Sequence, residues 1–165
     1  MVERTTMYDR ILVPTDGSSE VERAFEYAFD LARAHGASIH ALYVVNAAGY
    51  SGLPMETAWE GISDALHDDG AEAVSRVEEL APPEVPVETD ILEGSPSRVI
   101  VEEASRSNCD LVVMGTHGRG GIDRLLLGSV TERVVRRAPV PVLTVQVGPR
   151  FEGEPPGTSS RVRME

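Results

Sequence analysis

Lysine is absent from this 165-residue chain: all 15 basic residues are arginine, set against 27 acidic ones. That absence removes any phosphate-binding loop that depends on a lysine, the Walker type first among them. The formal net charge of -12 repels nucleic acid and anionic membrane surfaces, so a phosphate ligand needs a locally shaped site rather than bulk attraction. Cysteine is nearly absent too. The lone Cys109 excludes an intramolecular disulfide framework and a zinc knuckle, and it fits a reducing compartment. Long apolar runs are missing: none approaches the roughly 20 residues that span a bilayer, and the opening MVERTTMYDR has no apolar core of a signal peptide. A soluble, cytoplasmic protein is expected. Acid excess without lysine fits adaptation to high salt, where screening makes dense like charge tolerable; codon bias in a GC-rich genome is the alternative.

What is present is a regular alternation. A hydrophobic fraction of 41% in a chain of this length allows one domain with a real core. Short apolar runs alternate with helical periodicities, the pattern of βαβ units and an α/β fold with a parallel sheet. Strands are expected over 10–14, 39–45, 85–92, 110–114 and 140–147. The first is followed by Asp16-Gly17-Ser18-Ser19, which offers turn chemistry and a helix N-cap. A helix is expected over 18–35, where Val21, Phe25, Ala28 and Ala32 recur at helical spacing and Gly36 supplies a left-handed stop. His35 then falls at its end and His40 on the next strand. Residues 46–57 carry two glycines and a proline without a period and read as a loop that could serve as a lid. Ile62, Leu66, Ala73, Val77 and Leu80 mark one face of the next helix, weakened by Gly70 and ended by Pro82-Pro83. Ser95 and Pro96 are placed to cap and open a helix running to about Ser107, and Val130, Val134 and Val135 mark one to about Arg137. One domain over 8–147 is expected, with flexible ends at 1–7 and 148–165.

The candidate chemistry sits at the fourth strand's carboxyl end. Gly115 and Gly118 leave that strand, while Gly128 and Ser129 open the following helix. Glycines at such a junction let backbone N–H groups approach phosphate oxygens, and a helix N-terminus adds partial positive charge. In open parallel sheets, ligands bind beyond the carboxyl ends of the strands where the order reverses, which pairs strands one and four and draws in Pro14, Thr15 and Asp16. The dinucleotide fingerprint fails, because Gly118-Arg119-Gly120 continues to Asp123 where glycine is required.

The spacing Gly-x2-Gly-x9-Gly-Ser, carried by Gly115, Gly118, Gly128 and Ser129, resembles the ATP-binding motif of the universal stress protein family. The resemblance covers about 8–147 and includes ILVPTDGS, DLVVMGTHGRGG, LLGSVTERVV and APVPVLTV. It implies an open, Rossmann-like, five-stranded parallel sheet of the adenine nucleotide alpha hydrolase-like kind, in the order 3-2-1-4-5 with helices on both faces. The implied ligand is ATP, with or without a Mg or Mn ion. Asp16 would meet the ribose and Val44 would line the adenine pocket. Met114, His117, Arg119, Ser129, Val130 and Thr131 would surround sugar and phosphates, with Gly118 and Gly128 giving backbone contacts. A homodimer through the last strand and a further, unnamed protein partner are implied as well. The activity would be nucleotide-dependent regulation in a stress response. A slow ATPase or phosphotransfer enzyme and a nucleotide-free interaction module are the alternatives.

Each singled-out residue has a plainer reading. Asp16 could cap the helix after strand one. His117 could be a solvent-facing loop histidine, and Arg119 and Arg124 could pair with carboxylates. Cys109 reads as a packed small residue, while Trp59 and Met55 read as surface cover. Asp64, Asp68, Asp69 and Glu72 read as a solvated helix face rather than a metal site.

Overall fold

Residues 10–15 form the strand from which the rest of the sheet is laid out. This strand, β1 (Arg10–Thr15), is buried from its second residue onward, as a central parallel strand covered on both faces must be. The computed structural model describes residues 6–46, 48, 56–117 and 127–147; the side chains of 56–60 and the expected flexible ends, apart from the sixth and seventh residues, lie outside the described part. Four further strands follow: β2 (Ser38–Val45), β3 (Val87–Glu93), β4 (Leu111–Gly115) and β5 (Val142–Val145). They pair in the order β3-β2-β1-β4-β5, with every neighbouring pair parallel. The helices are α1 (Glu22–His35), α2 (Glu56–Leu80), α3 (Pro96–Arg106) and α4 (Ser129–Arg137).

The sheet's period of two sorts its residues between two cores. Ile11, Val13, Ile39, Ala41 and Val113 face α1 and α2, packing with Phe25, Ala28, Ala32 and Val77. Leu12, Leu42, Val112 and Met114 face the other way, packing with Val99, Ile100, Ala104 and Val134. Both layers are needed because neither face of this sheet is polar enough for solvent.

Helix ends differ from expectation in informative ways. Gly36 does end α1 in the left-handed region, φ 71°, donating its N–H to Ala32. At the start, a 3-10 turn over Ser19–Val21 precedes the helix, and Ser18 does not cap it. Its N–H and hydroxyl instead donate to Asp16 Oδ1 at 2.9 and 2.6 Å, closing a tight turn directly after β1. Ser95 likewise holds the N-cap position before Pro96 without a side-chain cap; its carbonyl accepts the Val99 N–H at 2.9 Å. The third strand begins at Val87 rather than at Val85, since the Val85 N–H donates to Pro82 in a turn. The expected loop over 46–57 falls largely outside the described residues, and α2 has already begun at Glu56.

Gly70, the residue that weakened the expectation for α2, is buried where this helix crosses β2 and β3. A Cβ there would stand 2.8 Å from the Tyr43 ring and 3.2 Å from Ile91 Cγ2, so glycine permits the close approach. Gly61, nine positions earlier on the same helix, has nothing within 4 Å of that place among the described residues. Gly61→Ala is expected to stabilise by roughly 0.5–1 kcal/mol through lower unfolded-chain entropy. Gly70→Ala should destabilise by about 1–3 kcal/mol through overpacking. Urea titration of both variants checks the opposite signs.

Cys109, just before β4, is a free thiol, 4% exposed and part of the α3-side core. Burial pushes it from its ordinary 9.0 up to about 11, with the Arg10 guanidinium pulling partly back. The folded thiol therefore holds its proton more tightly than the unfolded one. This contribution is complete below the ordinary value of 9.0 and is lost as the pH rises towards about 11. Stability of the native protein should fall across that window more steeply than that of Cys109→Ala, as read from urea midpoints at successive pH values.

Candidate functional site

The sheet order reverses at β1: the chain runs outward through β2 and β3, then returns to place β4 and β5 on the other side. Connections leaving β1 and β4 therefore diverge, and a crevice opens beyond their carboxyl ends. The cleft found there has a volume of about 600 Å³, within the roughly 300–1,000 Å³ of small-molecule sites.

Pro14, Thr15 and Asp16 reach the cleft from β1 and its turn, Val44 from β2, and Met114, Gly115 and His117 from β4. Gly128, Ser129, Val130 and Thr131 reach it from the start of α4. Every expected site residue within the described segments is thus gathered around one cavity. Gly118 and Arg119 lie outside the described residues, as do Arg124 and Met55; Trp59 lies within α2, but its side chain is not described. The sequence reading missed Val21, Leu42, Tyr43, Asn46, Pro96 and Ile100, which also line the cleft. Leu42 was within reach of pattern alone, two residues before Val44 on the same face of β2. Pro96 and Ile100 carried no such signal, because only the packing of α3 over β2 brings them there.

The apolar part of the lining includes Leu42, Val44, Ile100, Met114 and Val130, which share the α3-side cluster, and Val21 from the cluster on the other face. Backbone groups contribute the polar part. The first hydrogen bond of α4 runs from Glu132 N–H to Gly128 at 2.9 Å, so the N–H groups of Ser129, Val130 and Thr131 precede it at the positive end of the helix. Gly128 caps this helix without a side chain, so no side chain at the N-cap competes with an anion for those donors.

Close contacts explain the glycines better than unusual torsions do. Neither Gly115 nor Gly128 is among the residues with positive φ. A Cβ on Gly128 would come within 3.2 Å of His117 Cα and 3.4 Å of the Thr116 carbonyl, and one on Gly115 within 2.9 Å of Val147. Gly128 donates its N–H to Thr116 at 2.8 Å, and Thr131 donates its hydroxyl to the Gly115 carbonyl at 2.9 Å. The two bonds tie the start of α4 to the end of β4, which aims the helix terminus into the cleft.

Among the polar side chains, Asp16 both lines the cleft and accepts from Ser18, so its turn role and its site position coexist. His117 is partly buried, and both its ring nitrogens are shielded from solvent without a hydrogen-bond partner among the described residues. Such atoms are costly unless a ligand or water meets them. Asp64, Asp68, Asp69 and Glu72 are exposed along α2, as a solvated face would be.

Comparison with known proteins agrees with this architecture. The chain matches the profile of the Universal stress protein family over residues 7–146. Universal stress protein MJ0531 of Methanocaldococcus jannaschii is 43% identical over 141 residues, which is 85% of this chain and 83% of the relative. The solved universal stress protein UspA of Lactobacillus plantarum is 31% identical, with a TM-score of 0.69 over 84% of this chain and 97% of that one. A universal stress protein solved in complex with cAMP is 27% identical, with a TM-score of 0.60 over 84% of this chain and 97% of that one.

Thr131 is 3% exposed, so its hydroxyl bond to Gly115 is made out of reach of water. Thr131→Val keeps the shape and orphans the carbonyl, at an expected cost of about 1–3 kcal/mol. Thr131→Ser, which retains the hydroxyl, should lose less. Chemical denaturation of the pair provides the comparison.

Proposed function

We infer from its family, since this chain belongs to the universal stress protein family over residues 7–146, that it is an ATP-binding regulator whose nucleotide-loaded state alters its protein contacts. The observation that carries this reading is the presence, around one cleft, of apolar side chains and of a helix N-terminus with no side-chain cap among the described residues. Adenosine triphosphate combines an apolar base with anionic phosphates in the same way. Its base packs against Leu42, Val44, Ile100 and Met114, and its ribose meets Asp16 beside Pro14 and Thr15. Its phosphates take the N–H groups at Ser129, Val130 and Thr131. Gly115 and Gly128 keep the backbone close, and His117 supplies ring nitrogens that have no partner among the described residues. Gly118 and Arg119 belong to the same site in this reading. An accompanying Mg or Mn ion would neutralise phosphate charge, a useful service in a chain of net charge -12. The cAMP complex of a 27% identical universal stress protein supports an adenine nucleotide as the ligand class.

The regulatory output in this reading is a homodimer through β5. That strand is at the sheet edge, hydrogen-bonded to β4 on one side, with Leu143 36% exposed on it and Val135 44% exposed on α4. An edge with apolar side chains is a ready template for a second copy. Among the described residues no helix is long and apolar enough to cross a membrane, and the working location is the cytoplasm.

Protein purified in high salt and then denatured should release an adenine nucleotide, identified by chromatography, and the stripped protein should rebind ATP on titration. Gly128→Val places a branched side chain against His117 and Thr116 and should abolish binding while circular dichroism shows the fold retained. No released nucleotide, and no binding of ATP, cAMP or adenosine, would sink the reading. Phosphate release above background, lost in the same variant, would favour the slow ATPase instead.

A further inference from the structure

Asn46 stands directly past the end of β2 and lines the cleft. It continues an alternation along the strand. His40, Leu42, Val44 and Asn46 follow one another at the spacing that turns side chains to one face, here the face covered by α3. The ladder holds up to this point, since Val45 pairs with Glu93 and its carbonyl accepts the Gly94 N–H at 3.0 Å. The place from which Asn46 leaves the sheet is therefore fixed.

Polar groups on this face are matched to different degrees. His40, deep on the strand, is 1% exposed and has both ring nitrogens occupied. Its Nδ1 lies 3.3 Å from Arg10 Nη2 and its Nε2 2.8 Å from Asp90 Oδ2, with Glu103 of α3 at 3.9 Å. Asn46 is exposed and only half matched. Its Oδ1 accepts the N–H of Ala48, two residues on, at 3.2 Å, closing an Asx turn. That bond settles which end of the amide is which, because an N–H donates to the oxygen and not to the NH2. Among the described residues nothing accepts from Nδ2. The uncommitted group is thus an NH2, which donates and does not accept.

Its place in the cleft says which part of a nucleotide it meets. The order β2-β1-β4 puts two strand spacings, about 10 Å, between β2 and β4. The N–H groups at the start of α4 belong to the β4 side, where Gly128 is tied to Thr116. A nucleotide whose phosphates take those donors lays its base towards β2, over Leu42 and Val44. Asn46 is the polar side chain that follows them on that face. Tyr43, between the two in sequence, turns to the opposite face, where its ring adjoins Gly70 of α2.

We propose that Asn46 is a specificity-determining residue, whose amide NH2 donates to an acceptor nitrogen of the purine ring and so reads the edge of the base. The assignment rests on the adenine reading above and adds to it the group that selects the base. Apolar walls take any flat ring of suitable size. A donor held by a turn disfavours a ring that carries C–H where the nitrogen should be, because the bond is then lost. Adenine offers such nitrogens at N1, N3 and N7. Since Asn46 is exposed, the bond competes with water, and its net effect is that of an ordinary hydrogen bond, about fivefold in affinity.

Adenosine and its 1-, 3- and 7-deaza analogues, titrated against the full chain and against Asn46→Asp and Asn46→Ala, test the assignment, with circular dichroism as the check on folding. Asn46→Asp keeps an oxygen for the Ala48 N–H and loses the donors, whereas Asn46→Ala loses both. In the native protein one deaza analogue is expected to bind about fivefold more weakly than adenosine. Both variants should bind adenosine about fivefold more weakly as well, and should no longer distinguish it from that analogue, which is the coupling a double-mutant cycle isolates. A turn that merely shapes the rim would spare Asn46→Asp, and that outcome overturns the proposal. So does a deaza series that ranks alike in the native protein and both variants. If the native chain does not bind adenosine at all, the adenine reading falls and this assignment with it; binding without coupling sinks the assignment alone.

Discussion

The parallel pairing of β1 with β4, through Ile11 with Leu111 and Leu12 with Val112, is the constraint on which the remaining structure depends. It joins two halves of the chain that are separated by about a hundred residues, and it forces the strand order to reverse. Reversal is what opens a crevice, since helices that follow adjacent strands on opposite faces leave the space between their first turns unfilled. The burial of Ile11, Leu12 and Val13 at 0% exposure supports the join from both faces. Any change that loosened these two registers would widen or close the cleft before it touched a lining residue.

Within the crevice, the work is done by small distances. A Cβ on Gly115 would crowd Val147 beyond β5, and one on Gly128 would press on the backbone of Thr116 and His117; the Gly128 and Thr131 hydrogen bonds hold the start of α4 against the end of β4. A helix terminus contributes partial charge only within its first turn. Aim therefore matters more than the number of donors. Asp16 shows the same economy, since one carboxylate closes the turn after β1 and faces the cleft.

Charge is distributed in two regimes. Most arginines described in ion pairs are at the surface, as in Arg98 with Glu102 at 3.3 Å and Arg136 with Glu132 at 2.8 Å along helix faces, where each pair contributes little. The cluster around His40 is different, because its ring and Glu103 are withdrawn from water and each polar atom must find a partner. Glu103 meets that cost on α3, the helix that also brings Pro96 and Ile100 to the cleft.

Much of the fold was legible beforehand because each element states its own period: the five strands and four helices fall near their expected places, and Gly36 ends α1 as its torsion requires. That Gly115, Gly128 and Ser129 would line one cleft was legible as well, since the strand and the helix that carry them follow from local pattern. Other features were not. Ser18 and Ser95 suit a cap by residue type, yet their partners were chosen by the turn after β1 and by the backbone of α3. Gly70 looked like a flaw in α2 until Tyr43 and Ile91 were seen against it. Pro96 and Ile100 joined the cleft, and Arg10, His40, Asp90 and Glu103 met, only because strands distant in sequence lie side by side. Sequence alone determined what each segment would form, because hydrophobic period and turn chemistry act over a few residues. Tertiary structure decided which buried polar groups would face one another, because that depends on the register and packing of segments that share no local signal.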